Sequence, residues 1–182
     1  GIWKNDNATD NQAATDYDKK WIPGQWKVPE AYDNPASNDP WYFSTIREAN
    51  YFLETVVPRF EKGEIEGSET NIKHYIGEMY FLRAKNYLSK LETFGDFPII
   101  KNTLPDESES LIQASKRAPR YKVAHFILED LDQAISLLTN NISGGKNRIT
   151  KNAALLLKSR AALFEASWLT YHKGTALVPG GP

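Results

Sequence analysis

The sequence predicts a mostly α-helical protein, and two observations carry that expectation. Apolar residues recur at three- and four-residue steps through four long windows. Apart from Gly77, the glycines and prolines fall between those windows rather than inside them, among them Pro58, Gly67, Gly95, Pro98, Gly144, Gly145 and Gly174. The windows read as two helical pairs separated by a long loop, an arrangement that stacks as tetratricopeptide-like (TPR-like) units. No residue-level repeat is visible, and the loop lengths vary too much for a regular array.

Residues 1–40 are polar, rich in Asn, Asp and Pro, and show no helical period. They read as a long irregular loop with one short helix near residues 9–20. The first long helix is expected over residues 41–57, with Asp39 as N-cap and Pro40 at the first helical position. Trp41, Ile46, Ala49, Phe52, Leu53 and Val56 form its apolar face, and Pro58 is expected to end or kink it. The second helix spans 69–93. Its apolar set (Ile72, Ile76, Met79, Tyr80, Leu82, Ala84, Tyr87, Leu88, Leu91) wraps most of the surface, as in a helix with neighbours on two sides.

Gly95 is the stop after the second helix, and Pro98 cannot continue it. Residues 101–116 are expected to be a polar loop, including the acidic run Asp106-Glu-Ser-Glu109. The third helix spans 121–138, with Val123, Phe126, Ile127, Leu131, Ala134 and Leu138 inward and Asp130 and Asp132 on the opposite side. The fourth spans 151–171, with Thr150 as N-cap and small apolar residues suited to close packing.

The chain of 182 residues is long enough for one domain with a core. Its formal net charge is −1, from 22 basic and 23 acidic residues, so there is no basic field for a nucleic-acid backbone. There is no cysteine, which excludes disulfides, thiolate metal sites and a cysteine nucleophile. No apolar run reaches the roughly 20 residues of a bilayer-spanning helix. His74, His125 and His172 are scattered without metal-ligand spacing, and no metal or cofactor is expected. The run Asn5-Asp-Asn-Ala-Thr-Asp-Asn11 is oxygen-rich but lacks the spacing of a calcium loop and reads as a solvated segment. The serine-nucleophile, phosphate-loop and dinucleotide signatures are absent, and no pair of carboxylates stands out for glycoside hydrolysis. No catalytic residue is assigned.

One stretch is far more specific than the rest. Gly77-Glu-x-Tyr-Phe-Leu-Arg-Ala84, followed by Phe94-Gly-Asp-x-Pro98, strongly resembles a hallmark of the SusD/RagB family. Trp41-Tyr-x-x-x-Ile-Arg-Glu-Ala-Asn-Tyr-Phe-Leu-Glu54 is similar to that family's first core helix. Arg117-x-Pro-x-Tyr121 with Asp130-Leu-Asp-x-Ala-Ile135 resembles its third. Arg148-Ile-Thr-Lys-x-Ala-Ala154 with Lys158-x-Arg-Ala-x-Leu-Phe164 resembles its fourth. Together these pieces cover roughly residues 40–170, in the family's order.

The resemblance implies a right-handed scaffold of TPR-like helical pairs over residues 41–171, with the irregular region 1–40 beside it. It implies a binding protein and not an enzyme: a surface lipoprotein that captures nutrients, usually oligosaccharides. It also implies a TonB-dependent SusC-like outer-membrane transporter as partner. Family members are much longer, so the chain is expected to be an N-terminal fragment. The lipidated N-terminal Cys and the C-terminal part of the same protein would then lie outside it, and that C-terminal part would be needed to cover the fourth helix.

Within the hallmark, Gly77, Glu78, Arg83, Gly95, Asp96 and Pro98 read as structural. Glu78 and Arg83 are five residues apart and so do not face each other on a helix. Each is expected to satisfy loop backbone or to pair with another helix. Gly77 would permit close helix approach, and Asp96 would cap neighbouring backbone. The ligand-binding candidates lie earlier, at Trp21, Trp26, Tyr32 and Asn34. Aromatic rings stack on the C–H faces of sugars, amide side chains meet the hydroxyls, and the prolines between them pre-order the loop. The same rings could instead pin the loop onto the helices. For Trp41 packing is the preferred reading. A TPR-like protein-interaction module that binds no glycan is the alternative function, with an accessory domain of a glycan-degrading enzyme a distant third.

Overall fold

The computed structural model describes residues 8–9, 12–13, 22–24, 41–141 and 147–178. The chain divides into two units, Gly1–Asp39 and Pro40–Pro182. In the first, β1 (Ala8–Thr9) and β2 (Gln12–Ala13) pair antiparallel, with Ala8 opposite Ala13 and Thr9 opposite Gln12. This corrects the start of the short helix expected near residues 9–20, whose residues 14–20 lie outside the described residues. In the sequence, Asp10 and Asn11 are types disfavoured in helix interiors.

The second unit is built from α1 (Ser44–Glu61), α2 (Glu69–Phe94), α3 (Ser108–Ala114), α4 (Arg120–Leu137) and α5 (Lys151–His172). The four long helices pack in succession, α1 on α2, α2 on α4 and α4 on α5. Each neighbour runs antiparallel to the last. Along α2 and α4, Gly77 meets Leu138, Arg83 meets Asp130, and Gly95 meets Arg120. The fold is therefore mostly α, made of TPR-like antiparallel helical pairs.

The main core lies where α1, α2, α4 and α5 converge with the segment after α2. Ile46, Tyr87, Leu91, Phe97, Ile127 and Leu131 are among its buried members. Each such side chain contributes roughly 1.5–3 kcal/mol by leaving water. A smaller cluster of Ala134, Leu138 and Ala154 continues it towards the start of α5.

Four details differ from the sequence-based expectation. The α1 helix begins at Ser44 with Phe43 as an uncapped N-cap, not at Trp41 behind Asp39. Trp41 and Phe43 are drawn instead onto the aromatic core: Trp41 lies 4.2 Å from Phe94, and Phe43 lies 5.1 Å from Phe97. Second, α1 runs through Pro58 to Glu61. Pro58 is exposed and one turn from the end, so the one backbone bond it forfeits lies at the surface. Third, the polar loop 101–116 contains the helix α3, which buries no residue and so left no apolar period to read. Fourth, Asp130 is buried, 3% exposed, while Asp132 is exposed and pairs with Lys158.

Candidate functional site

The hallmark residues build a frame for the segment that follows α2. Gly95 ends the helix with φ +71°, a conformation that side-chain-bearing residues rarely adopt. Asp96 then turns back, and its Oδ1 accepts the backbone N–H of Arg120 at 2.8 Å, at the start of α4. Phe97 and Ala118 exchange both backbone hydrogen bonds, 3.2 and 3.1 Å. This holds the fully buried Phe97 ring in the aromatic core, and Pro98 beside it is also buried.

Beyond Pro98 the chain is hung from α1 and α2 by polar side chains. The Tyr87 hydroxyl accepts from Ile100 N at 2.8 Å and donates to Ile100 O at 3.2 Å. Asn50 Nδ2 donates to Ile100 O at 2.9 Å, and Arg83 Nη1 donates to Lys101 O at 3.2 Å. Glu54 Oε2 accepts from both the amide and the hydroxyl of Thr103, at 2.9 and 2.6 Å. Those two bonds hold the Glu54 carboxyl below its ordinary range.

Arg83 is the hub. Besides Lys101 O it donates Nη1 to Asn50 Oδ1 at 2.8 Å, and it grips Asp130 with two further bonds, Nε to Oδ2 at 2.7 Å and Nη2 to Oδ1 at 2.8 Å. Burial pushes the Asp130 carboxyl above its ordinary range, and the guanidinium offsets part of that shift.

Glu78 fastens the approach to α5. It accepts two bonds from Arg148, the one to Nε at 2.8 Å, and a third from Ile149 N at 3.1 Å. One turn earlier, the buried His74 accepts the amide of Thr139 on Nδ1 at 3.3 Å. At Gly77 an added Cβ would sit 3.0 Å from Leu138 Cγ and 3.1 Å from Leu137 Cβ, so α2 meets the end of α4 backbone to side chain.

The structure thus places Gly77, Glu78, Arg83, Gly95, Asp96 and Pro98 in the scaffold. Trp21, Trp26, Tyr32 and Asn34 lie outside the described residues. Between them Ile22, Pro23 and Gly24 form an exposed turn with Gly24 at φ +79°. Trp41 is half-buried in the aromatic core, with the Arg117 guanidinium 4.7 Å above its ring. Among the described residues no group of three acidic or histidine side chains could hold a metal ion.

The frame also creates a cleft of about 270 Å³ between α1, the hung segment and α3. Phe43, Ile46, Pro98, Ile100, Leu104 and Leu111 supply its apolar walls, with Arg47 and Asn102 among the polar residues that line it. Sequence reasoning missed both the cleft and the polar hub beneath it. One signal was available: Asn50 sits among Ile46, Ala49 and Leu53 on the apolar stripe of α1, where an amide requires a buried partner.

A TPR-like helical scaffold of this kind is a platform that holds loops, and comparison with known proteins places it. A family model for SusD-like proteins, described as starch-binding and associating with the outer membrane, matches residues 2–163. The chain belongs to this SusD-like family. A SusD-like protein from Bacteroides fragilis NCTC 9343 is 29% identical, with TM-score 0.60, over 74% of this chain and 25% of its own. A laminarin-binding SusD-like protein is 24% identical, with TM-score 0.54, over 65% of this chain and 24% of its own. Surface glycan-binding protein A from Bacteroides uniformis shares the fold at 18% identity and TM-score 0.56, over 76% of this chain and 30% of its own. The chain spans only 24% to 30% of the length of these three structures. No curated protein matches it.

Proposed function

We propose that this chain is the helical part of a non-catalytic carbohydrate-binding protein of the outer membrane. The observation that carries the reading is the family match across residues 2–163, in a family described as starch-binding. Its mechanism is capture and release with no bond chemistry. The helical pairs hold the loops. Trp21, Trp26 and Tyr32 stack on sugar faces, and Asn34 meets hydroxyls. The laminarin-binding relative supports an oligosaccharide ligand.

The finer parts of the proposal concern the whole protein. It delivers its ligand to a TonB-dependent SusC-like transporter and is lipid-anchored through an N-terminal Cys outside this chain. Leu155, Leu156, Leu163 and Tyr171 on α5 are 47%, 72%, 69% and 84% exposed. That surface supports packing of α5 against the remaining part of the same protein. It also favours the second reading, a protein-interaction module.

Affinity electrophoresis against a panel of neutral and acidic glycans separates the two. Retardation by at least one glycan is expected. A chain that no glycan retards, yet that binds a protein partner tightly, would favour the interaction module.

A further inference from the structure

We propose that the cleft between α1, the segment 98–104 and α3 is a docking site for a polypeptide segment that presents an apolar side chain beside a carboxylate. The proposal goes beyond carbohydrate binding and stands on different residues.

Three observations point to it. First, the walls are apolar. Phe43, Ile46, Pro98, Ile100, Leu104 and Leu111 line a cleft of about 270 Å³, enough for one large side chain and its neighbours. Leu111 is 40% exposed at its mouth, and Ile112 beside it on α3 is 62% exposed, so the apolar surface continues outward.

Second, the polar groups of the lining are mostly engaged within the protein. Asn50 is used on both ends, Nδ2 by Ile100 O and Asn102 O and Oδ1 by Arg83. The Thr103 hydroxyl is bonded to Glu54, and the Ser115 hydroxyl to Leu111 O. A pyranose would bring several hydroxyls into this cleft and find few partners for them, which is costly. An apolar side chain meets no such cost.

Third, among the described residues Arg47 is the single charged residue of the lining, and no carboxylate lines the cleft with it. Among the described residues its exposed side chain makes no hydrogen bond or ion pair. Complementarity at the rim therefore selects an acidic neighbour for the apolar anchor. The wall of the cleft is already fixed by Tyr87, Asn50, Arg83 and Glu54, so little ordering remains for the binding step.

The test uses the whole 182-residue chain on a synthetic peptide array in a fixed Gly-Ser frame. Each peptide carries Leu or Phe flanked by Glu, Ser or Lys. Leu-Glu and Phe-Glu peptides should be retained about two- to fivefold better than their Lys counterparts, with the preference fading at high salt. Arg47→Glu, an exposed site, should reverse the order, and Leu111→Glu should abolish retention of every peptide. Circular dichroism of both variants checks that they fold.

Retention that ignores both substitutions overturns the proposal, as does no retention at all. Occupation of the cleft by octanoate or an oligosaccharide, without peptide binding, reassigns it to a small molecule. Self-association lost in Leu111→Glu reassigns it to a second copy of the chain.

Discussion

Arg83 on α2 and Asp130 on α4 stand 47 residues apart in sequence and meet as a two-bond ion pair, both side chains less than a tenth exposed. The pair ties the two most extensively packed helices together and, through Asn50 and Lys101 O, supports the wall of the cleft. Removing one partner strands the other charge in the core. Arg83→Ala or Asp130→Ala should each cost about 3–5 kcal/mol of unfolding free energy. Replacing both by Met and Leu should cost much less than the sum of the single changes. Urea unfolding of the four proteins checks it, and strict additivity would contradict the pairing.

Tyr87 is fully buried, and its hydroxyl serves both backbone groups of Ile100. Tyr87→Phe keeps the ring against Phe126 but leaves the Ile100 amide without the hydroxyl, while Ile100 O keeps Asn50, at a cost of about 1–3 kcal/mol. Burial pushes the phenol up to about 12. The neutral form is thus favoured in the folded state. That stabilisation is complete below the unfolded value near 10 and is lost as pH rises through about 12. Ultraviolet titration should show a late-ionising component near pH 12 that Tyr87→Phe removes.

Gly77→Ala sets two effects against each other. Alanine favours the helix by roughly 0.8–1 kcal/mol over glycine. The added methyl lands 3.0 Å from Leu138 and 3.1 Å from Leu137, and overpacking of this kind costs about 1–3 kcal/mol. The clash should win, lowering the melting temperature, and Leu138→Ala in the same chain should relieve part of it. A neutral or stabilising Gly77→Ala would show that α2 and the end of α4 are not in close contact.

Glu54 is a surface carboxylate held below its ordinary range first by the Thr103 hydroxyl and then by the Thr103 amide. Its contribution is present above the unfolded value near 4.5 and fades as pH falls through the lower folded value. Carboxyl NMR titration should find Glu54 among the more acidic glutamates, and Thr103→Val should move it upward. A titration unchanged by Thr103→Val would contradict the tether.

The four long helices were legible because their inward faces repeat at helical spacing, as with Ile46, Ala49 and Leu53 on α1 or Val123, Ile127 and Leu131 on α4. Their ends were less so. The Asp39-Pro40 signal is local, and the aromatic core around Phe97 outweighed it by drawing in Trp41 and Phe43. Asp130 departs from the expectation because charge on a helix normally means solvent, whereas its partner lies on a different helix. The cleft was invisible for the same reason: its walls come from three segments that only the fold brings together. The aromatic candidates rest on side-chain chemistry alone and lie outside the described residues.

The central claim is carbohydrate binding through the Trp-rich segment. Isothermal titration of the best glycan from the panel against the wild-type chain, Trp21→Ala and Trp26→Ala tests it most directly. The account predicts saturable binding by wild type, weakened about five- to a hundredfold in each variant, as the loss of a stacked ring is worth roughly 1–3 kcal/mol. Binding that neither substitution weakens, or a wild-type chain that takes up no glycan at all, would contradict it.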